Sequence, residues 1–204
     1  MKIGIICEDE RLDQYVLRPV MERLFQNLEK RATVDVLPLG SIQGFEHVVK
    51  NKDTIPQIIA ANPMYKIFLL VVDRDGDRKG NTQKVKDREQ ENQDRLIGCL
   101  AIEELEVWVV ALHHDPQTDD PWPTIRNHPD PKEAYWEPLA RQRGWTGPGG
   151  GRHHAMQHQD CAWDKLFHRC HELSQLEQAL NNWFERQKAL ENPAPPRRER
   201  PRRR

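Results

Sequence analysis

Within the first hundred residues, short apolar runs alternate with stretches whose apolar residues recur every three or four positions. That alternation constrains the fold more than any other feature of the chain. Residues 2–7, 32–37, 66–72 and 96–102 are continuous apolar runs and read as buried strands. Between the first two, Leu12, Val16, Val20, Leu24 and Leu28 recur every four residues with Tyr15 and Met21 beside them, which predicts a helix laying one stripe on a sheet. Phe45, Val48, Val49, Ile55, Ile58 and Ile59 predict a second, less regular helical stretch, broken before Pro56. Residues 82–95 are almost wholly polar and helix-favouring, and read as a surface helix or mobile arm. Residues 103–113 predict a short helix with Leu105, Val109 and Leu112 on one side. Strands that are continuous apolar runs, separated by helices, predict an α/β fold: a mostly parallel four-stranded sheet covered on both faces.

The pattern changes at Asp115, after which Pro116, Pro121, Pro123, Pro129, Pro131 and Pro138 exclude a regular strand. Helical pieces resume at 132–143, stop in the glycine-rich stretch 144–151, and continue over 153–190, where Trp163, Leu166, Phe167, Leu173, Leu176, Leu180, Trp183 and Phe184 supply apolar anchors. The expected organisation is a sheet domain over 1–115, a Pro-rich connection and helical extension over 116–190, and a disordered Arg/Pro-rich tail over 191–204. The 204 residues carry a net charge of -1. That near-neutrality hides an asymmetry: from Pro193 onward six arginines face one acid, Glu199, so residues 1–192 carry -6. No apolar run approaches the length of a membrane span and no secretory signal opens the chain, so a cytoplasmic protein without a membrane partner is expected. Cys7, Cys99, Cys161 and Cys170 are too widely spaced to indicate a disulfide framework.

In an open parallel sheet the chemistry collects beyond the carboxyl ends of the strands. Acids stand there in this chain: Glu8 after the first strand, Asp73, Asp75 and Asp77 after the third, and Glu103, Glu104 and Glu106 after the fourth. If strands one, three and four are neighbours, these carboxylates share one crevice and repel one another unless a cation is present. All-oxygen donors suit Mg²⁺ or Mn²⁺. The loop also begins like a calcium site, but a strand precedes it and Lys84 occupies the position of the closing Glu. In the acidic helix, residues 103 and 106 share one face while 104 and 108 share another, so the three glutamates cannot all address one ion. Trp108 reads as core.

The set Cys7-Glu8-Asp9-Glu10, Val71-Val72-Asp73-Arg74-Asp75 and Ile102-Glu103-Glu104-Leu105-Glu106-Val107-Trp108 resembles the TOPRIM domain of topoisomerases, primases and overcoming-lysogenization-defect nucleases. It is most similar to a group of small bacterial TOPRIM-like proteins of unknown function, in which a Glu-Leu-Glu-x-Trp run is typical. The likeness covers about the first 115 residues. That family commonly has Gly after the first Glu, where this chain has Asp9. The resemblance implies Glu8, Asp73 and Asp75 as catalytic and metal-holding residues, with Glu8 either ligating the ion or deprotonating water. It also implies Glu104 and Glu106 as accessory acids that could support a second ion. The corresponding activity is Mg²⁺- or Mn²⁺-dependent phosphodiester hydrolysis on nucleic acid, in the setting of bacterial defence against phage or other mobile DNA.

Two further segments bear on partners. Arg197, Arg198, Arg200, Arg202, Arg203 and Arg204 have the composition of a backbone-phosphate contact, without aromatic residues for stacking, or of a soluble end. Arg152, following Gly147-Pro148-Gly149-Gly150-Gly151, is a further candidate phosphate contact, although such a run is commonly only a flexible connection. His153, His154, His158, Cys161, His168, Cys170 and His171 invite a zinc reading, but paired-ligand zinc spacing is absent and helix-face histidines are the simpler account. The altered Glu8-Asp9 motif and the small size leave a second class open, a non-catalytic TOPRIM-like adaptor or sensor bound to a protein partner in a larger complex.

Overall fold

A computed structural model describes residues 1–39, 44, 46–74 and 80–191. Four strands, β1 (Lys2–Ile6), β2 (Thr33–Val36), β3 (Ile67–Asp73) and β4 (Leu96–Ala101), form one sheet in the order β2-β1-β3-β4. Every pairing is parallel. The chain is therefore α/β, and the strands lie within one or two residues of the apolar runs that predict them. Parallel strands in this order need crossovers, supplied by α1 (Glu10–Asn27), α2 (Thr54–Ala61) and α3 (Gly80–Glu91).

The two faces of β3 show how a continuous apolar strand is used. Ile67, Leu69 and Val71 join one core with Ile3, Ile5, Val34, Ile97 and the buried stripe of α1. Phe68, Leu70 and Val72 join a second, smaller core with Ile6, Val48, Val49 and Ile55. Strands buried on both faces are what uninterrupted runs of Ile, Leu and Val require.

The larger core continues beyond the sheet. Helix α4 (Glu106–His113) is buried at every position from Glu106 to Leu112, and a helix apolar all round must be covered on all sides. Beyond it follow α5 (Trp122–Arg126), a π-helical turn at Lys132–Trp136 leading into α6 (Glu137–Gln142), α7 (Arg152–Gln157), α8 (Trp163–Arg169) and α9 (His171–Glu191), of which the π-helical turn, α7 and α8 pack on α4 and α9 packs on β4. Ile125, Trp136, Leu166, Leu173, Leu176 and Trp183 from these helices belong to the same cluster as Ile3 and Trp108. Trp108 is fully buried and its indole N–H donates to Glu172 at 2.6 Å. The same glutamate ion-pairs with Arg126, whose Nη1 donates to the Ile102 carbonyl at 3.3 Å.

Two expectations need correction. The polar stretch 82–95 is a helix over most of its length, as one of the two readings expects, but it is not wholly surface. Helix α3 buries Val85 in the second core, and Glu89 accepts the Gly98 N–H at 2.7 Å, capping the outer edge of β4. A Cβ at Gly98 would lie 2.3 Å from Val85 Cγ1, so glycine there lets the helix seat. The acidic helix begins at Glu106 rather than Glu103, because Glu103 adopts φ +60° and breaks the helical path between β4 and α4.

Candidate acidic site at the strand ends

The strand order places β3 between β1 and β4, so the acids that follow these three strands meet at one edge of the sheet. Glu8 and Asp73 are both half-buried there. The Glu8 carboxylate accepts the Asp73 N–H through Oε1 at 2.9 Å, tying the end of β1 to the end of β3 across 65 residues. Asp9, next to Glu8, has an extended backbone at φ -132° that needs no glycine. Its carboxylate caps α1 by accepting the N–H groups of Arg11 and Leu12, at 2.9 and 3.3 Å.

The glutamates after β4 have three different partners. Glu103, only 1% exposed, ion-pairs with Arg74, and the Arg74 N–H donates to both Ala101 and Glu103 carbonyls at 3.1 Å. This clamp fixes the backbone immediately after Asp73. Glu104 accepts the Lys132 N–H at 2.9 Å, and burial raises its carboxyl above the ordinary range. Glu106 is buried and paired with Arg152. That guanidinium supplies beside Glu106 the positive charge that a second ion was expected to supply. Arg152 is correspondingly 5% exposed, with Nη1 also donating to the Gly149 carbonyl at 2.6 Å. It faces inward instead of presenting itself to a phosphate.

The sequence reading missed Asp13. Its Oδ2 accepts the Asp9 N–H at 3.1 Å, holding it on the first turn of α1. Burial, then the carboxylates of Glu106 and Asp9, raise its carboxyl to about 7, against the opposing pull of the Asp9 N–H and Arg152. Cys7 reports the same field. Its thiol is pushed up first by burial and then by Asp13, Glu10, Asp9 and Glu8. The only sequence signal for Asp13 is its place one helical turn after the cap, which singles out no function.

Asp75 and Asp77 lie outside the described residues, as do Arg197, Arg198, Arg200, Arg202, Arg203 and Arg204. Among the described residues no three His, Cys, Asp or Glu side chains are grouped so as to hold a metal ion. The oxygen donors at the strand ends, Glu8 and Asp73, are of the kind and number that Mg²⁺ or Mn²⁺ takes from a protein when substrate phosphates and water complete its shell. In the His/Cys-rich segment, Cys161 Sγ donates to the Ala155 carbonyl at 3.3 Å and Cys170 is fully buried. His113, another residue missed in the sequence, packs its ring 4.7 Å from that of Trp145, with Nε2 3.1 Å from the Ala155 carbonyl. Burial lowers it to about 4.

Among the described residues no helix is long and apolar enough to cross a membrane. Comparison with protein-family models, curated proteins and solved structures finds no match to this chain.

Proposed function

We propose that this chain is a metal-dependent phosphodiester hydrolase of TOPRIM type acting on nucleic acid in bacterial defence. The observation that carries the reading is the adjacency of β1, β3 and β4, which brings Glu8 and Asp73 into hydrogen-bonded contact at the carboxyl edge of a parallel sheet. Glu8 and Asp73, joined by Asp75, would hold Mg²⁺ or Mn²⁺. When bound, such an ion stabilises negative charge on the phosphoryl oxygens of the scissile group. The Asp73 N–H orients the Glu8 carboxylate, which would either hold the ion or accept a proton from the attacking water. The Arg74–Glu103 clamp keeps the Asp73 backbone in place. Because Glu106 is paired with Arg152, the proposal assigns one ion and not two.

The acidic body makes a basic tail useful, since the arginines from Arg197 to Arg204 could tether a polyanion that the site edge repels. A nicking assay on supercoiled plasmid, with single-stranded DNA and RNA alongside, tests the reading. Wild-type protein should cleave in Mg²⁺ or Mn²⁺, and chelator or Asp73→Ala should abolish cleavage. Cleavage unchanged in Asp73→Ala would refute it. The pairing of Glu103 and Glu106 with arginines favours a second reading, a non-catalytic adaptor whose acidic edge is internally neutralised. Folded wild-type protein that is silent alone and co-purifies with a protein partner would support that alternative.

A further inference from the structure

Beside the acidic edge, α1 and α7 enclose a groove of about 260 Å³ lined by Gln14, Tyr15, Arg18, Glu22, His153 and Gln157, with Met156 and Pro19 also on its wall. We propose that this groove is a nucleobase subsite, receiving an unstacked base of a single strand whose phosphate lies at the Glu8/Asp73 edge. The inference rests on the proposed nucleic-acid substrate.

Four observations carry it. The first is position: α1 starts at the cap Asp9, directly after Glu8, and Gln14, Tyr15, Arg18 and Glu22 of the groove lie on that same helix. The second is size. Pockets for drug-sized ligands run to roughly 300–1,000 Å³, and this one is slightly smaller, suited to a single ring system. The third is chemistry. The Tyr15 and His153 rings meet edge to face at 5.6 Å, offering aromatic surface, while both amides and Arg18 offer donors and Glu22 offers an acceptor. Gln and Arg side chains match the hydrogen-bonding edges of bases. A phosphate fits less well, because Glu22 opposes it.

The fourth is the construction of the wall. The backbone at Gly149 takes φ +65° and approaches Tyr15 so closely that a Cβ would lie 2.5 Å from its Cδ2. Arg152 holds the Gly149 carbonyl at 2.6 Å while pairing with Glu106. The glycine-rich loop therefore braces the Tyr15 ring from behind and links it to the acidic edge.

The test is an abasic scan. Short single strands of DNA and of RNA, intact or lacking one base at successive positions, are bound to full-length protein in Ca²⁺ and followed by anisotropy, and cleavage is measured separately in Mg²⁺ and Mn²⁺. Loss of one base at a fixed position next to the cleaved bond should weaken binding about tenfold, the scale of one stacked base. Tyr15→Ala should weaken the intact strand by a similar factor and erase the abasic effect. Gln157→Ala, at an exposed position that leaves the packing intact, should weaken the intact strand severalfold with an unchanged melting temperature. A flat scan, or equal binding by both variants, in a protein that still cleaves would overturn the subsite and leave the hydrolase standing. Wild-type protein that neither binds nor cleaves would overturn both.

Discussion

At Asp13, burial and the carboxylates of Glu106 and Asp9 oppose ionisation and lift the group to about 7. The folded chain therefore keeps a proton there over a range in which the unfolded chain has released it. A carboxyl raised in this way contributes stability that is fully present below the ordinary carboxylate range and is lost as pH rises through about 7. Asp13→Asn removes that loss. Denaturant unfolding should find the variant more stable than wild type at pH 8, by on the order of 1–3 kcal/mol, with the difference gone near pH 4. Equal stabilities at both pH values would contradict the burial of this charge. For the Glu106–Arg152 pair the expected signs are opposite: Arg152→Met strands a buried carboxylate and should cost about 3–5 kcal/mol. The double variant with Glu106→Met should cost less than the two single changes together, as a double-mutant cycle would show. Glu8 and Asp73 were legible because strand ends announce themselves as the end of an apolar run. Their neighbours' partners were not. Arg152 pairs with a residue 46 positions away, and no local pattern marks such a contact.

At the scale of elements, periodicity located the strands and α1, yet it failed where one contact outweighs a pattern. Helix α3 is anchored on its core face by Val85 seated against Gly98, and a lone apolar residue in a polar stretch produces no period. The start of α4 was misplaced because Glu103 takes a left-handed backbone while remaining buried and paired with Arg74. A charge-rich helix start gives no sign of that turn. The glycine stretch reads in the sequence as a phosphate approach or a flexible connection, whereas its conformations are specific. Gly151 sits at φ +89°, and a Cβ there would lie 2.5 Å from the Trp145 carbonyl oxygen. Gly144, at φ +65°, has open space around it. Gly144→Ala should cost about 1–2 kcal/mol, the left-handed term alone. Gly151→Ala should cost clearly more in the same thermal or denaturant series, since backbone must also move. Similar costs at both positions would show that the close approach does not constrain the loop.

For the molecule as a whole, the division at residue 115 marks a change of composition and not a break in the core. One hydrophobic cluster runs from Ile3 and Leu69 through Trp108 to Leu166, Leu176 and Trp183. Helix α4, apolar on every side, would lose its cover without the later helices. A fragment of residues 1–115 should accordingly lack a cooperative unfolding transition by circular dichroism; a sharp transition would establish an autonomous sheet domain. The same cover joins the extension to the strand ends, through Glu172 and Arg126 to the Ile102 carbonyl and through Arg152 to Glu106. The central claim is that the strand-end carboxylates hold a divalent cation. It is tested most directly by titrating Mn²⁺ into the full chain and counting bound ions by electron paramagnetic resonance, for wild type and for Asp73→Asn. The account predicts one Mn²⁺ bound by wild type and displaced by Mg²⁺, with that binding lost in the variant. Equal binding by the two proteins, or none by folded wild type, would contradict it.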